Sequence, residues 1–388
     1  MASGSDASMP TGFLEPAYGD RSLGDVLPAL ARALGLPEVF GADGSMPGQV
    51  WEFPEAPSYV VFLVDGLGAA SLRRHADAAP YLASLLRPGR TGTAAVPSTT
   101  ATSLVTLGTS LPPGAHGMVG FTSRIPGTER LLNALQWDRS VDPIEWQPHP
   151  TAFARLASAG CSVRVVNRRE FASSGLTMAA QRGAEFIGAD RVGERIAAAV
   201  AASARNEPQL SYLYEGDLDW TGHRYGVSSN QWLQQLAAVD AQLEQLREAL
   251  PATTRLVVIA DHGMVDSPPQ SRVNVDLIPE LRQGVQLLGG EARFRHLYCH
   301  AGTVEEVAET WSEVLGDRAR VLVREAALAT GWFGATASAV LPRIGDVVVA
   351  CAADTAVVSS VDFPYETTLV GLHGSLTAEE MEIPVLVD

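Results

Sequence analysis

Lysine is absent from this chain, and all 28 basic residues are arginine. Without lysine there is no Schiff-base amine, no pyridoxal-phosphate anchor and no Walker-A phosphate loop. Basic charge is short overall. Against 44 Asp and Glu the arginines leave a formal net charge of −16 and a pI ≈ 4.9. That sets aside a nucleic-acid polymer or an anionic membrane surface as partner. Cysteine is scarce: Cys161, Cys299 and Cys351 are odd in number, far apart and form no CxxC. They imply no disulfide framework, so a reducing compartment is the default. No apolar run approaches the ~18 residues that span a bilayer. Met1 to Gly19 shows neither a basic n-region nor an apolar h-region. A cytoplasmic protein with no membrane partner is expected. No fixed-period repeat or long low-complexity tract is visible.

What is present is a core-rich globular composition, 46% hydrophobic and 19% charged over 388 residues. That length suits two or three ordinary domains, or one large α/β domain with an insertion. Ser58–Val64, Cys161–Val166, Leu210–Tyr214 and Arg255–Ala260 are short, apolar, β-branched runs that predict buried strands. Helical spacing alternates with them, most clearly over Gln231–Leu250, which places Trp232, Leu236, Val239, Leu243 and Leu246 on one face. The alternation predicts an α/β fold, a doubly wound and mostly parallel sheet. Residues 1–57 read as a tail, a helix ending at Gly35 and a loop. Residues 58–266 and 346–388 read as the core. Residues 267–345, with Pro-rich turns, one helix at Val304–Leu315 and irregular stretches, read as an inserted cap.

Four stretches carry chemistry. Asp261-His262 delivers a carboxylate and an imidazole at the end of a buried strand, where α/β sheets hold ligands, and Gly263 follows for a sharp turn. In isolation Asp261 would simply cap that turn and His262 would be a satisfied loop histidine. Asp65 likewise ends a strand. The Gly66-x-Gly68-x-x-Ser71 after it imitates a dinucleotide fingerprint, but it lacks the third Gly or Ala and the acid ~20 residues on. Asp219 and His223 form an i, i+4 pair on one face of a helical turn, close enough for one metal ion; Glu215 and Asp217 are rival carboxylates that read as solvated. His373 follows a strand and precedes Gly374, whereas His75, His116, His149, His296 and His300 read as structural or exposed. Three carboxylates and three imidazoles suffice for two cations about 4 Å apart. A nucleophile would come from Val96-Pro-Ser-Thr-Thr-Ala-Thr-Ser103, where a threonine at a helix N-terminus could be ionised by a metal. Any one of these threonines could equally be an ordinary N-cap.

Taken in order, Asp65-Gly, Pro97-Ser-Thr-Thr100, Gly108-Thr-Ser-Leu-Pro-Pro-Gly-Ala-His-Gly117, Asp219-x-x-x-His223, Ala260-Asp-His-Gly-Met264 and His373-Gly resemble the alkaline phosphatase superfamily. The likeness runs from about residue 58 to the C-terminus and is greatest to the type I phosphodiesterase/nucleotide pyrophosphatase branch. It implies a sheet of alkaline phosphatase type with a cap inserted before the last histidine. It also implies Thr100 as nucleophile, one metal on Asp219, His223 and His373, and another on Asp65, Asp261 and His262. The ions would be Zn2+, with Mn2+ as the other choice. Members of that branch carry an asparagine shortly after the His-Gly of the third motif. Phe121 stands there in this chain, leaving Asn133 or Arg124 as substrate-binding candidates. The sulfatase pattern Cys/Ser-x-Pro-x-Arg is missing.

The reading is therefore a two-metal hydrolase of a phosphodiester or phosphoanhydride, acting through a phosphothreonine on a small phosphorylated metabolite or nucleotide. A phosphonate hydrolase or phosphomonoesterase on the same scaffold, and a catalytically silent metal-binding sensor, are the alternatives. Thr91 to Phe121 contains no arginine, which favours a diester over a dianionic monoester unless Arg124, Arg293 or Arg295 reaches in.

Overall fold

The computed structural model describes residues 12–40, 51–203 and 208–388. Residues 1–11 of the predicted tail and 41–50 of the predicted loop lie outside the described residues. The helix ahead of Gly35 is present as Val26–Ala33, entered through a 3-10 turn at Leu23–Asp25.

A seven-stranded sheet forms the centre. Its strands are β1 (Ser58–Val64), β2 (Thr91–Thr93), β3 (Ser162–Asn167), β4 (Glu185–Gly188), β5 (Gln209–Glu215), β6 (Thr254–Ile259) and the C-terminal Glu382–Val387. Across the sheet they run β2, C-terminal strand, β6, β1, β5, β3, β4. The C-terminal strand alone runs opposite to the other six, antiparallel to both β2 and β6. The mostly parallel α/β fold read from the alternation is thus the observed one. Every residue of β1 is buried, as befits a central strand covered on both faces.

Register is what positions the site. Val64 pairs with Glu215 and Leu63 with Ile259. Asp65, Gly216 and Asp261 therefore leave the sheet side by side at one carboxyl edge. Three helices frame that edge: α1 (Thr100–Thr109), buried at all its residues, α2 (Asp217–Tyr225) and α3 (Asn230–Ala249). Ser229 caps α3 by accepting from the Trp232 N–H, and the five apolar positions expected on one face are all buried.

A second sheet lies beyond the first. β7 (Val285–Glu291), β8 (Phe294–Cys299), β9 (Ala319–Val323) and β10 (Val347–Cys351) form an antiparallel sheet ordered β7, β8, β10, β9. The helix α4 (Val304–Leu315) covers it over an apolar cluster that includes Trp311, Leu297, Val347 and Val349. The sequence pattern reads this region as irregular, and it reads Val347–Cys351 with the returning core. The structure places that strand in the second sheet. β8 hides from a pattern reading because Arg293 precedes it and Arg295 and His296 interrupt its apolar residues. All three are fully buried, the arginines in ion pairs with Glu380 and Glu366. Among the described residues no helix is long and apolar enough to cross a membrane.

Candidate functional site

Six side chains from four separate stretches meet at the carboxyl edge of the sheet. β1 and β6 deliver Asp65 and Asp261 directly, and His262 follows Asp261. Asp219 and His223 project from one face of α2. His373 arrives on a loop held beside them, because Gly371–Leu372 pairs antiparallel with Val265–Asp266. The Asp65 and Asp261 turns are tied by the Gly66 N–H donating to Asp261 Oδ1 at 3.1 Å. A Cβ on Gly66 would lie 2.9 Å from Asp219 Oδ1, and its φ is +73°, so glycine is required there. Gly263 serves close packing instead of the sharp turn expected of it. A Cβ there would come within 1.9 Å of the Glu379 carbonyl.

Two sets of three ligand-type atoms lie within 4.8 Å of one another: Asp65, Asp261 and His262, and Asp219, His262 and His373. His223 adjoins the second set, its Nε2 3.3 Å from Asp219 Oδ2 and 3.2 Å from His373 Nε2. His262 thus stands between the two halves.

The imidazoles share one orientation. His223 Nδ1 faces the Gly371 carbonyl at 2.8 Å, His262 Nδ1 that of Gly263 at 3.0 Å, and His373 Nδ1 that of Ser98 at 2.9 Å. Each Nδ1–H donates outward, which turns each Nε2 lone pair inward, as metal-binding histidines are held. Lone pairs 3.2 Å apart on His223 and His373 repel without a cation between them. Asp219 Oδ1 and Asp261 Oδ2 are buried with no hydrogen-bond partner among the described residues.

Electrostatics point the same way. Burial first, then the Asp261 and Asp219 charges, hold the Asp65 carboxyl well above its ordinary range. Burial also raises Asp261, while burial and the neighbouring His262 and His223 hold His373 well below its ordinary value. Carboxylates that resist ionisation beside an imidazole that resists protonation mark a place short of positive charge, which divalent cations would supply.

Thr100 sits at the first position of α1, after Thr99 as N-cap. Its Oγ1 is 3.2 Å from His262 Nε2 and 3.4 Å from each Asp65 oxygen. Ser103 on the same helix donates to the Asp261 carbonyl at 2.8 Å, and Tyr214 donates to Asp65 Oδ2. Two cavities meet at Thr100, Asp219 and Leu135. One, about 200 Å³, is walled by Phe171, Tyr214, Asn167 and Gln181. The other, about 280 Å³, is walled by Phe121, Trp220, Tyr365, Glu291 and Glu366. No arginine lines either among the described residues.

The substrate-binding candidates are not brought to this place. Asn133 ends a small hairpin, where its Oδ1 accepts from the Leu135 and Gln136 N–H groups at 3.0 Å each. Arg124 stacks over Tyr298 and donates to the Pro342 carbonyl. Both are engaged where they stand, and neither lines either of these two cavities. Arg293 and Arg295 are neutralised by Glu380 and Glu366. Glu215, read as solvated, is buried against Arg195 at 2.6 Å. Sequence reasoning missed Glu291 and Tyr214. Tyr214 is merely a strand residue in sequence. Glu291 lies at the turn of the β7–β8 hairpin, and no local spacing links it to Thr100.

The family model for type I phosphodiesterase / nucleotide pyrophosphatase matches residues 59–376. No curated protein matches the chain. Among solved structures, murine ectonucleotide pyrophosphatase/phosphodiesterase 5 is similar at TM-score 0.68 and 17% identity, over 85% of this chain and 87% of its own. An inactive form of that mouse protein in complex with AMP matches at TM-score 0.67 and 16% identity, with the same coverage. Phosphonoacetate hydrolase from Sinorhizobium meliloti 1021, in complex with phosphonoformate, matches at TM-score 0.64 and 20% identity, over 87% of this chain and 92% of its own.

Proposed function

Because the chain belongs to the type I phosphodiesterase / nucleotide pyrophosphatase family, and so to the metal-dependent hydrolases, we propose that it cleaves a phosphodiester or phosphoanhydride with Thr100 as nucleophile. The observation that carries this reading is the place of Thr100 at the corner shared by two cavities, within 3.4 Å of His262 and Asp65. A phosphorus atom at that corner can send one arm into each cavity, as a diester or pyrophosphate does. Asp65, Asp261 and His262 would hold one divalent cation, and Asp219, His223 and His373 the other. A mixed carboxylate and imidazole set suits zinc, with manganese as the alternative. Bound cations supply Lewis acidity that lowers the hydroxyl pKa and offsets phosphoryl charge.

The deprotonated Thr100 oxygen attacks phosphorus in line, the bond to the leaving oxygen breaks, and a phosphothreonine forms as one arm departs. Water then breaks the Oγ1–P bond, releasing the second product and restoring the hydroxyl. Thr100 opens a ten-residue helix, so unpaired N–H groups of its first turn are available to phosphoryl oxygens. Phe171, Tyr214, Asn167 and Gln181 combine aromatic walls with amide groups, which suits a nucleobase. The AMP held by the mouse neighbour supports that choice. A phosphonate bearing a second acidic group is disfavoured where no arginine among the described residues lines the site. The second sheet, with the cap at roughly 267–345, closes the leaving-group side. Three buried, free cysteines support a cytoplasmic setting.

Thr100→Ala tests the reading. Turnover of bis-p-nitrophenyl phosphate should fall by about 10³-fold or more, with fold and two equivalents of metal retained. Inactivity of Thr99→Ala instead would move the nucleophile by one residue. Full activity in both variants would remove the covalent mechanism. A metal-loaded wild type that turns over no ester would be the silent sensor.

A further inference from the structure

Beyond the six ligand-type residues, the cavity bounded by Phe121, Trp220 and Tyr365 contains two more buried carboxyls, Glu291 and Glu366. They differ in company. Glu366 is paired with Arg295, which crosses from β8. Glu291 has no ion-pair partner among the described residues, and its Oε1 is buried with no hydrogen-bond partner. It belongs to neither ligand set. Its polar neighbours are the Thr99 side chain and the Phe121 backbone, one residue before the nucleophile and at the cavity wall. The carboxyl is also held in place: the Gly374 backbone packs against its stem so closely that a Cβ there would lie 2.6 Å from Glu291 Cγ.

We propose that Glu291 is a substrate-contacting residue, whose carboxyl donates a hydrogen bond from the cap sheet to an oxygen of the phosphoryl group attached by Thr100. The assignment rests on the phosphoryl-transfer reading of Thr100. Three observations lead to it. Among the described residues the cavity has no arginine to offer a substrate anion, so a further side-chain donor beyond the cations and the helix N–H groups would be a neutral group. Glu366 is already spoken for by Arg295. Glu291 keeps one oxygen unpartnered beside the nucleophile's own N-cap. Burial, opposed by the Thr99 hydrogen bond, moves its pKa up to about 8 in the metal-free chain, toward the protonated form. A carboxyl kept neutral by an apolar site is a recognised donor to a developing oxyanion.

The test titrates inorganic phosphate into zinc-loaded protein freed of excess metal, by calorimetry, alongside kcat/KM for bis-p-nitrophenyl phosphate. Glu291→Ala should weaken phosphate binding and kcat/KM by about 10- to 100-fold, the size of a lost hydrogen bond to a charged group, with metal content unchanged. Glu291→Gln, whose amide donates from the same place, should stay within about threefold of wild type by the same scale. Glu291→Met, of matching length but with no donor, replaces Ala if that variant does not fold. The assignment fails if Gln is as weak as Ala or Met, or if a donor-less variant binds phosphate as tightly as wild type or tighter. It also fails if such a variant loses a metal equivalent. When wild type binds phosphate and turns over diester but the Ala variant matches it, Glu291 alone is removed. Wild-type protein that binds no phosphate removes the Thr100 reading and Glu291 with it.

Discussion

The two halves of the site use the same residue types but are built differently. Asp65, Asp261 and His262 have side chains 3%, 0% and 0% exposed, whereas Asp219, His223 and His373 are 13%, 22% and 8% exposed. The closed half comes straight off two adjacent sheet strands, and its carboxyls are pushed upward by burial. The open half joins a nine-residue helix to a distant loop, pinned by imidazole contacts to the Gly371 and Ser98 carbonyls. The closed half crowds carboxyls that burial and mutual repulsion disfavour as charges. The open half lines the larger of the two cavities with His223 and His373. Under the proposed mechanism, placement of the nucleophile would belong to the first, and exchange of leaving group and water to the second.

The largest effect should separate the halves in activity. Asp261→Ala is expected to lower kcat by about 10³-fold or more and to lose a metal equivalent. His223→Ala should cost only about 10- to 100-fold, the range found when metal affinity is partly weakened. Elemental analysis and diesterase kinetics on both variants decide it, and equal losses would erase the distinction.

A smaller effect should appear in stability. In chelator-treated protein, Asp65→Asn removes a buried carboxyl crowded by Asp261 and Asp219, and should raise stability by on the order of 1–3 kcal/mol. Asp219→Asn, nearer solvent, should gain less. The pH dependence has a definite sign. Folded-state pKa values of Asp65 and Asp261 lie above those of the unfolded chain. Their contribution is therefore fully present below the ordinary carboxylate range near 4 and is lost as pH rises through the folded values. His373, His116 and His296, held below the ordinary histidine value, act in the opposite sense. The carboxyl contribution is therefore read as a difference: on going from neutrality toward about pH 4 the melting temperature of metal-free wild type should gain on that of Asp65→Asn. Parallel pH profiles in the two proteins would contradict the crowded closed half.

The smallest effect concerns the substrate's charge. With no arginine among the described residues lining either cavity, bis-p-nitrophenyl phosphate should exceed p-nitrophenyl phosphate in kcat/KM by about tenfold, roughly 1.4 kcal/mol. Measured at one pH and one metal load, a clear preference for the monoester would show that a cation reaches the open half after all.

By itself the sequence determined whatever depends on contiguous residues. Apolar β-branched runs announced β1, β3, β5 and β6, since central parallel strands are buried on both faces. The i, i+4 spacing of Asp219 and His223 announced a shared helix face, and strand-end positions announced Asp65 and Asp261. Only tertiary structure decided what lies opposite those residues. Asn133 and Arg124 look suitable in sequence, yet a hairpin turn and the Tyr298 ring claim them. β8 was illegible because the charges on Arg293 and Arg295 are answered 87 and 71 residues away, by Glu380 and Glu366. Glu291 was illegible for the same reason: the groups that surround it, Thr99, Phe121 and Gly374, sit far away in the chain. Local pattern records which face of an element is apolar. The protonation state and reach of a buried polar group depend on partners that only the folded chain assembles.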